Sequence, residues 1–371
     1  MSSLRDIGRL FLASLGTIAL VATLNFAVDP LQLLRPATWY RALYSPDSRL
    51  QDAGLIRSQQ YDTVLMGSSL AVHFRQSDID RKLGTHSLKL AAIGSNSAEQ
   101  SFIIEAALQK RPKRVLWQLD EWIFRDGANL ESDRHFPAEL YRMTAKGIAG
   151  YLLDTDTARE SLGILLRFAP SLASFVRFLN EARYLKFHVE DVDDINVMPS
   201  YEDVSKFYNA RNALASYASL TADPTRLSIG SLDELTRNFE RDAIALVKRH
   251  PDVQFDIWFP PYSILLFVGA RDASPQALQV AYDFSSYMTA RLLALHNARV
   301  FDFRAIAEIT HNLENYLDVM HHSPSIDLKV IDMIATDENR VFRSDPDAKL
   351  SELKRQVQAY HMDERGLPGA K

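Results

Sequence analysis

The chain has 371 residues, 47% of them hydrophobic and 24% charged, with a formal net charge of −5. That length supports a full hydrophobic core in one large domain with an insertion, and the acidic balance offers no basic field to a polynucleotide partner. The absence of cysteine excludes disulfides, thiolate metal sites, a cysteine nucleophile and lipoprotein lipidation, and leaves the redox compartment undecided.

Residues 10–28 form an apolar run without a charge, interrupted only by Ser14, Thr17, Thr23 and Asn25. A bilayer core needs about 20 such residues in a helix. Arg5 and Arg9 precede the run and Asp29 follows it. The positive-inside rule then puts residues 1–9 in the cytoplasm and the body beyond the inner membrane, facing the periplasm or cell exterior. A cleaved secretory signal and a buried core helix are the alternatives; the signal is disfavoured by the length of the run and the lack of a clear cleavage site.

After a juxtamembrane linker (29–55), the pattern alternates as in a doubly wound parallel sheet. Strands are expected at 63–66, 87–91, 115–119, 253–259 and 299–303. Helix starts lie between them: capping boxes at Ser97 to Gln100 and Ser231 to Glu234, and Ser-Pro pairs at Ser274-Pro275 and Ser323-Pro324. The expected body is α/β: a sheet domain split into 56–125 and 231–337 around a helical cap at 126–230. The cap holds helical stretches at 158–168 and 203–217, and an acidic segment, 190–194, reads as a solvated turn. The tail, 338–371, is polar and reads as one peripheral helix or disorder.

Two stretches carry chemistry. The run from Tyr61 to Leu70 reads as a short buried strand ending at Gly67 and handing over to Ser68 and Ser69, where open α/β sheets place their reactive groups. A serine hydroxyl needs a base, and the base needs an orienting group. Asp318 and His321, three apart, share one face of a helical turn and can pair. They stand just before the Ser323-Pro324 helix start, whose positive end favours a neutral imidazole. His322 points elsewhere and is the weaker candidate. Taken singly, Ser69 also fits a helix cap and the Asp318–His321 pair a surface ion pair. No spacing among His311, His321, His322 and Asp318 matches a metal site, and no phosphate-binding loop is present. Trp117, Trp122 and Trp258 lie near strand ends, where core packing is the default and carbohydrate stacking the alternative.

Gly67-Ser68-Ser69-Leu70 resembles the first block of the SGNH (GDSL-type) hydrolase superfamily, with Ser68 where aspartate usually stands. Asp318-Val319-Met320-His321 is similar to its closing Asp-x-x-His block, and the segment from Leu90 to Asn96 to its second block. Phe259-Pro260-Pro261-Tyr262 looks like the late-strand segment of its membrane-anchored branch, which includes the D-alanine-transfer protein of teichoic acid assembly and the alginate acetylation proteins. The resemblance implies a three-layer, flavodoxin-like sheet, no cofactor, and a Ser69–His321–Asp318 triad. It implies oxyanion donors at the backbone of Ser69 and Gly94, and substrate contacts at Asp120, Pro261 and Tyr262. The third block departs from the family: Asp120-Glu121 stands where Gly-x-Asn-Asp is usual, so Asn96 substitutes for the missing asparagine donor or two backbone N–H groups act alone.

The implied activity is an acyl esterase or O-acyl(acetyl)transferase acting on an exported or envelope polysaccharide, with a membrane-bound O-acyltransferase as a partner. A non-catalytic assembly or binding factor with the same fold, and an exported lipase-type hydrolase, are the rivals.

Overall fold

The structure, a computed structural model, describes residues 2–45, 47–125, 128–130, 136–168, 191–195 and 204–362. In chain order the main helices are α1 (Ser2–Val28), α2 (Ser48–Ser58), α3 (Gln76–Leu83), α4 (Ser97–Leu108), α5 (Ala138–Arg142), α6 (Ala145–Leu153), α7 (Thr155–Phe168), α8 (Ala210–Ala222), α9 (Leu232–Phe239), α10 (Ala245–Arg249), α11 (Ile264–Ala273), α12 (Pro275–Leu293), α13 (Pro324–Ala335) and α14 (Ala348–Ala359). The strands are β1 (Thr63–Gly67), β2 (Ser87–Ala91), β3 (Arg114–Gln118), β4 (Gln254–Phe259), β5 (Ala298–Asp302) and β6 (Arg340–Val341). The chain divides into two compact units, Met1–Gln60 with Phe136–Ile195 and Tyr61–His135 with Asn196–Lys371.

In the first unit, α1 is long and apolar enough to cross a membrane, judged by length and composition. Thr17 donates its hydroxyl to the carbonyl of Ala13 one turn earlier, at 3.0 Å. The helix ends where Asp29 adopts a left-handed backbone (φ 54°). The Asp29 carboxylate then gathers the N–H groups of Leu33, Leu34 and Arg35 and the Tyr151 hydroxyl. The stretch expected as a linker is therefore folded, with Leu31, Leu33, Leu43 and Leu55 buried. Gly54 of α2 is required there, because a Cβ would stand 1.7 Å from the Leu31 carbonyl oxygen.

The second unit is built on a six-stranded sheet, ordered β2-β1-β3-β4-β5-β6, parallel except for β6. The runs 63–67 and 115–118 are apolar apart from their ends and wholly buried, as strands covered on both faces must be. Gly67 ends β1 for a steric reason: a Cβ would stand 2.5 Å from Ala71 and 2.8 Å from the Gln118 side chain. The chain leaves β1 for β2 on one side, then returns to β3 on the other. Such a reversal opens a crevice at the carboxyl ends of the two central strands.

Two boundaries differ from the sequence reading. Residues 126–230 do not form one cap. α6 and α7 pack on α1 in the first unit, whereas α8, through Ala213 and Leu220, joins the apolar cluster of α11 in the second. The segment 338–362 carries the one helix expected there, α14. It contributes the antiparallel β6, and α14 buries Leu350, Leu353 and Val357. A two-residue strand has no periodicity to read, and α14 is held by distant partners, such as Arg271 donating to the Val357 and Tyr360 carbonyls.

Candidate active site

Ser68 caps a short 3-10 turn, Ser69–Ala71, that follows β1 directly; its own hydroxyl makes no capping bond. Ser69 is the first residue of that turn and is half-buried. Its Oγ lies 3.0 Å from His321 Nε2, across 252 residues of sequence. His321 Nδ1 lies 2.7 Å from Asp318 Oδ2, so the three side chains form one continuous relay. The first two distances match a hydroxyl activated by an imidazole that a carboxylate orients.

Asp318 and His321 are brought together by a tight turn, not the helical turn the spacing suggests. Asp318 Oδ1 accepts from the backbone N–H of Met320 and of His321, both at 2.7 Å, and Leu317 N–H closes the turn on the His321 carbonyl. A carboxylate that folds its own turn leaves its second oxygen aimed at the imidazole. Burial alone would raise the Asp318 pKa, but the ring and backbone hydrogen bonds outweigh it and hold the carboxyl below its ordinary value. α13 starts at Pro324 with Ser323 at its cap position, as expected from sequence.

The strand registers place the remaining candidates. Gly67 pairs with Ala91, and Ala92 N–H donates to the Gly67 carbonyl, so the turn after β2 runs beside Ser69. Gly94 in that turn has φ 64°, a conformation that suits glycine, and is exposed. Among the described residues, neither Ser69 N–H nor Gly94 N–H donates to another group.

Asn96 is occupied otherwise. It caps α4 in a reciprocal box with Glu99, one residue earlier than the box expected at Ser97, and its Nδ2 donates to the Asn129 carbonyl at 2.9 Å. Its side chain is thus committed to a helix end and a loop, which opposes a role as third oxyanion donor.

Asp120, Pro261 and Tyr262, expected to touch a substrate, are all buried. Asp120 caps the short turn after β3 by accepting from Ile123 N–H. The Pro261 carbonyl accepts from the Tyr316 hydroxyl at 2.7 Å, which ties the Asp318–His321 turn to the end of β4. Tyr262 is fully enclosed beside Asp120. Asp120 and Pro261 thus make their contacts within the protein, with Ile123 and Tyr316.

Burial, followed by the nearby Glu121, raises the Asp120 carboxyl to about 7. Next to it Arg304, almost fully buried, bonds Glu121 at 2.5 Å and Asp302 bidentately. The sequence reading did not single out Arg304; Asp302 is two residues away, but nothing local marks the second carboxylate, Glu121, which lies 183 residues earlier.

His322 turns inward, 3.3 Å from the buried carboxyl of Asp327. Burial lowers His322 to about 4 and, with help from neighbouring imidazoles and Lys89, lowers His73 to about 2; Asp327 is raised by burial. His73 and Asp327 line a cavity of about 170 Å³ together with Phe74, Ile79, Leu328 and Ile331. Its walls are the segments that follow Ser69 and His321 in sequence.

Trp117 and Trp258 are core residues, Trp117 donating to Gln100; Trp122 is partly buried against a core cluster. His311 pairs with Gln356 at 3.2 Å, and among the described residues no cluster could hold a metal ion. No family model and no curated protein matches this chain.

Proposed function

We propose that the second unit is a serine acyl esterase or O-acyltransferase with the three-layer SGNH arrangement, held at the inner membrane by α1 and facing the periplasm or cell exterior. The observation that carries this reading is the unbroken relay Ser69–His321–Asp318, with distances of 3.0 and 2.7 Å. Ser69 Oγ attacks an ester carbonyl while His321 Nε2 takes its proton. The oxyanion is stabilised by the N–H groups of Ser69 and Gly94. The tetrahedral adduct then collapses, the C–O bond to the leaving alcohol breaks, and His321 returns the proton to that alcohol. His321 next deprotonates water, giving an acid, or a sugar hydroxyl, giving an acylated glycan; the second adduct collapses with cleavage of the Ser69 Oγ–acyl bond, and His321 returns the proton to Ser69 Oγ. Asp318 keeps the imidazole in the required tautomer throughout.

The substrate is an exported or envelope polysaccharide, deacylated in the esterase reaction or serving as acyl acceptor in the transferase reaction, and a membrane-bound O-acyltransferase is the partner that would supply the acyl group. The test is labelling of the full-length protein by a fluorophosphonate, with turnover of p-nitrophenyl acetate and hexanoate. Labelling abolished by Ser69→Ala supports the reading; absence of both labelling and turnover overturns it.

A second reading has one observation in its favour. Asn96 is committed to capping, and Asp120, the residue standing in the third block, is buried. A protein that binds glycan without turnover would need no third oxyanion donor. Full cellular function of Ser69→Ala would select that reading.

A further inference from the structure

The exit of α1 from its apolar run is surrounded by side chains that the triad does not explain. One face of residues 21–28 packs on α6 and α7. Asn25 is fully buried there, donating to the Leu152 and Asp154 carbonyls and accepting from the Ser161 hydroxyl. The other face is open. Phe26 is 54% exposed, Trp39 50%, Leu153 48% and Phe168 40%.

These side chains are organised. The Trp39 indole N–H and the Arg35 guanidinium both donate to the Ala27 carbonyl, at 3.2 and 2.8 Å, satisfying the end of the helix. Arg35 also lies over the Phe26 ring at 4.8 Å. Tyr40 meets Trp39 edge-on at 4.8 Å and Phe168 at 6.0 Å, which links the loop after α1 to the end of α7.

Length sets the depth. A hydrocarbon core takes about 20 helical residues, and the apolar run spans residues 10–28. Its outer boundary therefore falls near Phe26 to Val28. At about 1.5 Å per residue, the α6 and α7 contacts along residues 21–28 lie within about 10 Å of that boundary. Tryptophan and arginine concentrate at this level, and interfacial helices lie there.

We propose that Phe26, Trp39, Leu153 and Phe168, with Arg35, form a collar seated in the headgroup and upper acyl region of the non-cytoplasmic leaflet, so that the first unit lies on the bilayer rather than swinging from a tether. This rests on the reading of α1 as a membrane span. Single exposed apolar side chains carry no such meaning. Four of them ringing the end of an apolar helix, with an arginine and an indole on its last carbonyls, match the composition of a membrane interface.

The chain contains no cysteine, so single substitutions report without background. The full-length protein is reconstituted in phosphatidylethanolamine–phosphatidylglycerol nanodiscs. Nitroxide labels are placed at Leu15→Cys in mid-span, at Trp39→Cys, Leu153→Cys and Phe168→Cys in the collar, and at exposed Arg355→Cys as an aqueous reference. Power saturation with oxygen and with a water-soluble nickel chelate reads depth, and circular dichroism of each variant verifies folding. The expected result is an oxygen-to-nickel accessibility ratio several-fold above Arg355→Cys at the collar sites, and highest at Leu15→Cys. If Leu15→Cys reads as lipid and the collar sites read like Arg355→Cys, the collar is overturned while the span stands. If Leu15→Cys reads as aqueous, the span and the collar fall together. Collar sites shielded from both reagents would assign the surface to a protein contact and overturn the proposal.

Discussion

Asp318 and Asp120 both lie on loops beyond the carboxyl ends of strands of one sheet, yet their surroundings drive them in opposite directions. Asp318 sits in a partly open turn where two backbone N–H groups and an imidazole hold it below its ordinary pKa. Asp120 is buried, accepts from Ile123, and is raised to about 7. The same division runs through the histidines. His321 faces Ser69, whereas the enclosed His322 and His73 are lowered by burial to about 4 and about 2. Enclosure thus favours the neutral forms of Asp120, His322 and His73, whereas hydrogen-bond donors favour the charged form of Asp318. Donor count and enclosure make the difference, not residue type.

The largest test of this contrast is chemical. Ser69→Ala or His321→Ala should lower turnover of an accepted ester by about 10⁴–10⁶-fold, and Asp318→Asn by about 10⁴-fold, because members of one relay act as a unit. Each should unfold at a urea midpoint close to wild type, the residues being only partly buried. Steady-state kinetics with urea titration checks both. A loss of stability with unchanged turnover would break the assignment of the Ser69–His321–Asp318 relay as reactive.

Removing a charge from the buried Arg304 cluster should act the other way. Arg304→Met leaves Glu121 and Asp302 buried without their partner, an arrangement that costs about 3–5 kcal/mol. The urea midpoint should fall sharply, a loss that active-site ligands would not account for.

The buried histidines give a pH signature. Their folded pKa values are depressed, so the stability they contribute is present above the unfolded value of about 6.5 and lost as pH falls toward about 4 for His322 and about 2 for His73. Each proton taken up adds a slope of about 1.4 kcal/mol per pH unit. Thermal melts between pH 7 and pH 4 should show this acid loss, and His322→Gln should flatten it by about one proton. Asp120 has the opposite sign. Its raised pKa means stability is lost as pH rises from about 4 toward about 7, and Asp120→Asn should remove that loss.

The smallest effect sharpens the oxyanion question. Asn96→Ala removes a helix cap and should cost about 1 kcal/mol, with turnover changed little. A loss of about 10²–10³-fold in turnover, the size expected for an oxyanion donor, would return Asn96 to the chemistry.

Five strands were legible because each is a short run, continuously apolar or alternating, bounded by turn residues, and the observed bounds differ from those expected by at most one residue. Helix starts at Ser231, Ser274 and Ser323 were legible for a local reason, a capping residue or proline within one turn. The box at α4 was misplaced by one because Asn96 and Ser97 both suit a cap, and only the actual path of the chain chooses between them. The three residues of the relay could be named, but the turn that joins two of them could not. It depends on Asp318 capturing N–H groups that a helix would have used.

Local order therefore came from the sequence itself. The alternation of apolar runs and caps determines which segments become strands and helices, since those interactions lie within a few residues. Tertiary structure decided what long-range partners decide. It set the 3.0 Å meeting of Ser69 and His321, the enclosure of Asp120 and Tyr262, and the division of the insertion between two units. It also joined β6 to the sheet. Each of these depends on groups far apart in the chain, whose burial and hydrogen bonding exist only once the sheet and its crossovers have closed around them.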